Sequence, residues 1–138
     1  MTASIVRDGA QSGWLKIKVE GEATAAHNIA SVANPEGALL QINRAFLYIE
    51  EGAHAASSLH LGIGADGADV HDIMDGFLLN QTDGTVWNVI GTDIAEEGSL
   101  AEPNGALWGA TEYLTMTTAD QVSTGLLAYL FVEYTRLA

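Results

Sequence analysis

The stretch GLLAYLFVEYTRLA, residues 125–138, decides the fold. One parity carries Leu126, Ala128, Leu130, Val132 and Tyr134, the other Leu127, Tyr129, Phe131, Glu133 and Thr135. Aromatic and β-branched residues in both rows predict a strand. Both rows stay apolar as far as Phe131, and polarity enters with Glu133, Thr135 and Arg136. The first half is therefore expected to be covered on both faces and the second half on one. A strand covered in this way needs neighbours, and the rest of the chain supplies them.

Residues 14–20, WLKIKVE, alternate cleanly, with Leu15, Ile17 and Val19 on one face and Trp14, Lys16, Lys18 and Glu20 on the other. This predicts a half-buried strand with a wet outer face. Residues 39–50, LLQINRAFLYIE, carry apolar side chains in both parities, as a central strand of a sandwich would. SLHLGIG (58–64) points Leu59, Leu61 and Ile63 inward and Ser58, His60 and Gly62 outward. Further strands are expected at 77–79, 85–90 and 111–118. NQTDG (80–84) between two of them has the form of a hairpin turn. Asn34-Pro35-Glu36-Gly37 reads as a turn, with proline presetting φ and glycine leaving it. The alanine-rich segment before it, 21–33, reads as extended or irregular, with a helical turn over 24–32 as the alternative. Seven or eight short strands, turn signals about every ten residues and 15 glycines predict an all-β fold. The expected form is an antiparallel two-sheet β-sandwich of jelly-roll type. Residues 14–138 form the sandwich, and residues 1–13, with only Ile5 and Val6 as anchors, form an extended N-terminal arm ordered on docking.

At 138 residues the chain has the size of one domain. It contains no cysteine, which excludes disulfides, thiolate metal sites and a cysteine nucleophile. No apolar run approaches the roughly 18 residues of a membrane span, and the opening residues lack the apolar centre of a signal peptide. A soluble protein made in the cytosol is expected. Net charge is −13, but Arg7, Lys16 and Lys18 against Asp8 leave residues 1–18 at +2 and the remaining 120 at −15. An acidic body repels phosphate, which argues against nucleic acid or an anionic membrane as partner. The basic leading segment suits an acidic partner surface. The acidic loop 91–105, with Glu96 and Glu97, is too long to be a plain connection and reads as functional.

The chemistry-bearing side chains do not assemble into a motif. Asp66, Asp69 and Asp72 lie in ADGADVHDIMDG, where carboxylates could wrap a hard cation such as calcium. Their spacing is not that of an EF-hand, and turn and cap bonding around a short helical turn at Ile73 and Met74 accounts for them. His27, His54, His60 and His71 fall in four segments without a His-x-His pair, and His60 reads as solvent-facing. No serine sits in a Gly-x-Ser-x-Gly elbow, and GIGADG lacks the helix a dinucleotide fingerprint requires. The adjacent pairs Glu50/Glu51 and Glu96/Glu97 point to opposite sides of an extended chain and cannot share one bond. No catalytic residue and no cofactor is expected. Of the three tryptophans, Trp14 falls on the polar parity and is the candidate exposed aromatic for sugar or protein, while Trp87 and Trp108 read as core.

A basic leading segment, VANPEG (32–37), the long strand NRAFLYIE, LHLGIGADG, DGFLLN and the last strand LLAYLFVEYTRL together resemble the small jelly-roll cement (decoration) proteins of tailed-bacteriophage capsids. The resemblance spans most of residues 14–138 and rests on strand patterns and turns. It implies a virion protein bound to the capsid exterior, contacting the major capsid protein and itself as a dimer or trimer, with no enzymatic activity. Arg7, Trp14, Lys16, Lys18, Glu96 and Glu97 are the residues expected at such contacts. A carbohydrate-binding module and a phage tail or fibre component are the alternatives.

Overall fold

The structure, a computed structural model, describes residues 1–7, 12–23, 29–71, 73–89, 106–118 and 122–137. Ten strands follow one another: β1 (Thr2–Arg7), β2 (Ser12–Glu20), β3 (Ile29–Ala33), β4 (Leu40–Glu51), β5 (Ser58–Gly64), β6 (Met74–Leu78), β7 (Thr85–Asn88), β8 (Ala106–Trp108), β9 (Tyr113–Thr118) and β10 (Leu127–Arg136). They form two antiparallel sheets, β1-β2-β10-β4-β7 with β8 also on β4, and β3-β9-β5-β6. No helix occurs among the described residues. The chain is doubled on itself, so that β2, β3, β4 and β5 pair in turn with the returning strands β10, β9, β7 and β6. Contacts of β10 with β4 and of β9 with β5 then close each sheet.

The decisive strand, β10, has the neighbours it needs, lying within the larger sheet between β2 and β4. Its inward row, Ala128, Leu130, Val132 and Tyr134, is buried together with Leu15, Ile17 and Val19 of β2. Leu59, Leu61, Met74, Phe77, Leu114 and Met116 of the smaller sheet complete the same core. The outward row departs from expectation: Leu127, Tyr129 and Phe131 are half-buried rather than covered. On β4 the two apolar parities have a different cause. Glu133 pairs with Arg44 and Tyr134 with Ile42, so Asn43 is an extra residue, a β-bulge. The bulge flips the alternation, and Leu40, Ile42, Ala45, Leu47 and Ile49 all point into the core while Phe46 and Tyr48 face out.

Several local expectations are corrected. Residues 2–7 are not a free arm but the edge strand β1, laddered to β2, and the Met1 side chain is buried in the core. The Met1 ammonium lies 2.9 Å from Glu22 Oε2. A backbone with unpaired hydrogen-bonding groups beside the β2 edge is stabilised by joining it, which pattern counting on two anchors does not register. NQTDG is not a hairpin turn, because β6 and β7 belong to different sheets and the segment crosses between them. Ile73 and Met74 form no helical turn, as Met74 opens β6. The strand expected over 111–118 begins at Tyr113, and Ala106–Trp108 form a separate strand on β4. Part of the segment read as irregular is β3; residues 24–28, residue 90 of the strand expected over 85–90, and the acidic loop expected over 91–105 lie outside the described residues.

The Asn34-Pro35-Glu36-Gly37 turn ties the sheets together. Asn34 Oδ1 accepts from the Glu36 and Gly37 amides, and its Nδ2 donates to the carbonyls of Ala38 (2.8 Å), Trp108 (3.1 Å) and Gly109 (3.0 Å). Gly37 takes φ +63°, where a side chain would be strained. Tyr134 Oη, from the central strand, donates to Glu36 Oε2 at 2.6 Å.

Candidate docking face of the larger sheet

The outward rows of β2, β10, β4 and β7 meet in register. Lys18, Tyr129, Tyr48 and Val86 form one line across the sheet, Lys16, Phe131, Phe46 and Asn88 the next, and Trp14, Glu133 and Arg44 a third. Arg7 sits opposite Lys16 in the β1 ladder. Three of the five basic residues of this acidic chain, Lys16, Lys18 and Arg44, thus surround five aromatic rings. The placement follows from parity on β2 and β10 and from the Asn43 bulge on β4, which turns Phe46 and Tyr48 outward.

The rings hold one another. Phe46 stacks on Phe131 with centroids 4.8 Å apart and 19° between planes, and meets the edge of Trp14 at 5.6 Å. Lys16 Nζ stands 4.6 Å from the Tyr129 centroid and 5.8 Å from that of Phe131. The Arg44 guanidinium lies 5.2 Å from the Trp14 ring. Such contacts contribute about 0.5–1.5 kcal/mol per aromatic pair and about 0.5–1 kcal/mol per exposed cation–π contact. Ion pairs from Arg44 to Glu133 (3.5 Å) and Lys18 to Glu20 (3.3 Å) fix the cations further. The face is therefore organised before anything binds it, which lowers the entropy lost on docking. Tryptophan, tyrosine and arginine are also the side chains that dominate protein interfaces. Val86, 59% exposed, continues the apolar surface at the β7 edge.

The expected contact residues are partly brought together. Trp14, Lys16 and Lys18 share this face, with Arg7 at a neighbouring register position. Glu96 and Glu97 lie outside the described residues. Phe46, Tyr48, Tyr129, Phe131 and Arg44 were not anticipated, because an apolar outward row on a central strand reads as core until the second layer is seen. Trp108 is fully buried as expected, and Trp87 packs partly against the core with its ring edge-on to Phe77.

The aspartates behave differently. Asp66 is exposed at a β-turn closed by the Ala68 amide on the Ala65 carbonyl, Asp72 lies outside the described residues, and Asp69 contacts His71. His60, read as solvent-facing, is on the outer face of the smaller sheet but only 12% exposed, because the loop after β5 folds back over it. That burial holds the His60 imidazole below its ordinary pKa, and the neighbouring His71 adds to the effect against the opposing pull of Asp75 and Asp69.

Comparison with protein-family models, curated protein sequences and solved structures finds no match to this chain.

Proposed function

We propose that the protein is a cement (decoration) protein of jelly-roll type that binds the outside of a tailed-bacteriophage capsid through the outer face of its larger sheet. The pairing of β2 with β10, β3 with β9, β4 with β7 and β5 with β6 supports the jelly-roll reading, since a doubled ribbon wrapped into two sheets has this pairing. The single observation that carries the docking role is the preorganised patch of Trp14, Phe46, Phe131, Tyr129 and Tyr48 set among Lys16, Lys18 and Arg44. On an acidic protein, cations gathered on one face, two of them shared with Glu20 and Glu133, favour an acidic partner surface. A shell presenting many identical sites turns a modest contact into durable attachment once the protein binds as a dimer or trimer.

The same geometry favours a protein partner over a sugar. A sugar platform needs open ring faces, whereas Phe46 and Phe131 cover one another and Lys16 and Arg44 stand over Tyr129 and Trp14. The test is occupancy on purified shells of the K16E/K18E/R44E variant, with circular dichroism as a check on folding. Loss of at least tenfold in binding is expected. Wild-type occupancy by the folded variant refutes the assignment of this face.

A further inference from the structure

The outer face of the smaller sheet is closed by its own loop. The Gly67 amide donates to Ser31 Oγ of β3 at 2.8 Å, and the Ile73 amide returns to the Leu61 carbonyl at 3.0 Å. Between these points Val70 lies directly on Gly62, where an added Cβ would stand 2.5 Å from Val70 atoms. Only glycine at this outward position lets the loop approach. The loop thereby lays His71 flat on His60, with ring centroids 4.0 Å apart and planes within 10°.

The two imidazoles are not isolated. Asp75 is the cross-strand neighbour of His60 in the β5–β6 ladder. Its Oδ1 lies 3.0 Å from His60 Nδ1 and 3.4 Å from His71 Nδ1. Neither approach has the direction of a hydrogen bond, and His60 Nδ1 is buried without one. The opposite nitrogen of His71, Nε2, is 2.6 Å from Asp69 Oδ1. An Nε2–H donated to Asp69 fixes the tautomer whose lone pair is on Nδ1, the nitrogen 3.4 Å from Asp75 Oδ1. A carboxylate on the far nitrogen is the arrangement that orients metal-binding histidines. Thr117, opposite His60 in the β9 ladder and on the same face, is fully buried with its Oγ1 unbonded, a second polar atom left without a partner.

We propose that His60 Nδ1, His71 Nδ1 and Asp75 Oδ1 form a binding site for a borderline divalent transition-metal ion, Zn²⁺ foremost, with Asp69 as the positioning residue for His71. Two neutral imidazoles and one carboxylate match this class of ion and not calcium or magnesium, which take oxygen donors. A tetrahedral ion with ligands at about 2.0–2.1 Å needs donors about 3.4 Å apart. The distances from Asp75, 3.0 and 3.4 Å, are near that spacing, and one ligand atom from each of the three residues lies within 4.8 Å of the others. The stacked rings hold their in-plane lone pairs in parallel planes, so His71, 39% exposed, turns out of the stack to share an ion with His60. The exposure of His71 and Asp75 leaves the remaining coordination position open to water or to a group from outside. The bound ion would also clasp the loop to the sheet. The site lies on the sheet opposite the docking face, so either assignment can fail without the other.

The test uses the full chain, stripped with chelator and titrated with ZnCl₂ by calorimetry, with elemental analysis after dialysis. One Zn²⁺ per chain and a raised melting temperature are expected, and Co²⁺ in its place should give the visible bands of a four-coordinate site. His71→Ala and Asp75→Asn, both at exposed positions that tolerate replacement, should each weaken binding at least tenfold. Asp69→Asn should weaken it by about 10–100-fold. His54→Ala, whose ring packs elsewhere against Gly125, should leave it unchanged. Absence of uptake by the wild-type chain overturns the proposal, and so does wild-type affinity in folded His71→Ala, which would place the ion elsewhere.

Discussion

Replacing Asn34 distinguishes a turn residue from a tie between the sheets. Its Nδ2 satisfies three carbonyls, two of them on the Trp108–Gly109 segment some 74 residues away, while its Oδ1 satisfies two turn amides. Asn34→Ala removes all of these bonds at once. At about 0.5–1.5 kcal/mol net per hydrogen bond, and with the two turn amides able to recover water, the loss should be about 2–4 kcal/mol. For a domain of this size that lowers the melting temperature by about 8–15 °C. Asn34→Asp is the sharper test. Aspartate is as good as asparagine at the start of a β-turn, so a role confined to the turn predicts almost no change. Aspartate keeps the acceptor for Glu36 and Gly37 but presents an oxygen to the carbonyls of Ala38, Trp108 and Gly109, and should destabilise at least as much as alanine. Urea unfolding of the three proteins, compared at equal slope, measures the differences. Asn34→Asp with wild-type stability would refute the reasoning.

Two further predictions concern the first strand. Deleting residues 1–7 removes the β1 ladder and the buried Met1 side chain, whose burial alone is worth about 1.5–3 kcal/mol. Lower urea stability and self-association through the bared β2 edge are expected by light scattering, and a monomer of unchanged stability would restore the picture of a free arm. Glu22 is held below its ordinary value of 4.5, first by hydrogen bonding to the Met1 ammonium, then by the Thr2 hydroxyl and the ammonium's charge. Between the lowered folded pKa and 4.5 the unfolded chain binds more protons, so stability rises with pH there. The contribution is complete above 4.5 and is lost as pH falls through the folded value. Because Glu22 is exposed the effect is small, and Glu22→Gln should flatten the acid limb of the stability profile; an identical slope in the variant would remove the ion pair from the account.

The sequence makes β2 and β5 legible because each alternates without interruption, and the central β10 because aromatic and β-branched residues fill both its rows. Other features depend on contacts that alternation does not encode. Asn43 and Arg44 look like ordinary members of a strand, yet one extra residue there reverses which parity of β4 is buried. Thr85 to Asn88 resemble the second arm of a hairpin, yet they join the other sheet because β4 offers an open edge. The outward apolar row Leu127, Tyr129 and Phe131 has the composition of core, and only the single covering layer among the described residues reveals it as surface. The histidine pair was hidden for a related reason. His60 and His71 are eleven positions apart, and the signal that could have joined them is Gly62 and Gly64 on the outward parity of β5, an absence of side chains that leaves room for Val70 and the loop.

The claim that the larger sheet's outer face is the docking surface is tested most directly by imaging the protein bound to purified shells at side-chain resolution. Trp14, Phe46 and Phe131 are expected against the capsid, with Lys16, Lys18 and Arg44 opposite its carboxylates. Finding that face turned to solvent while the smaller sheet or the strand edges make the contact would contradict it.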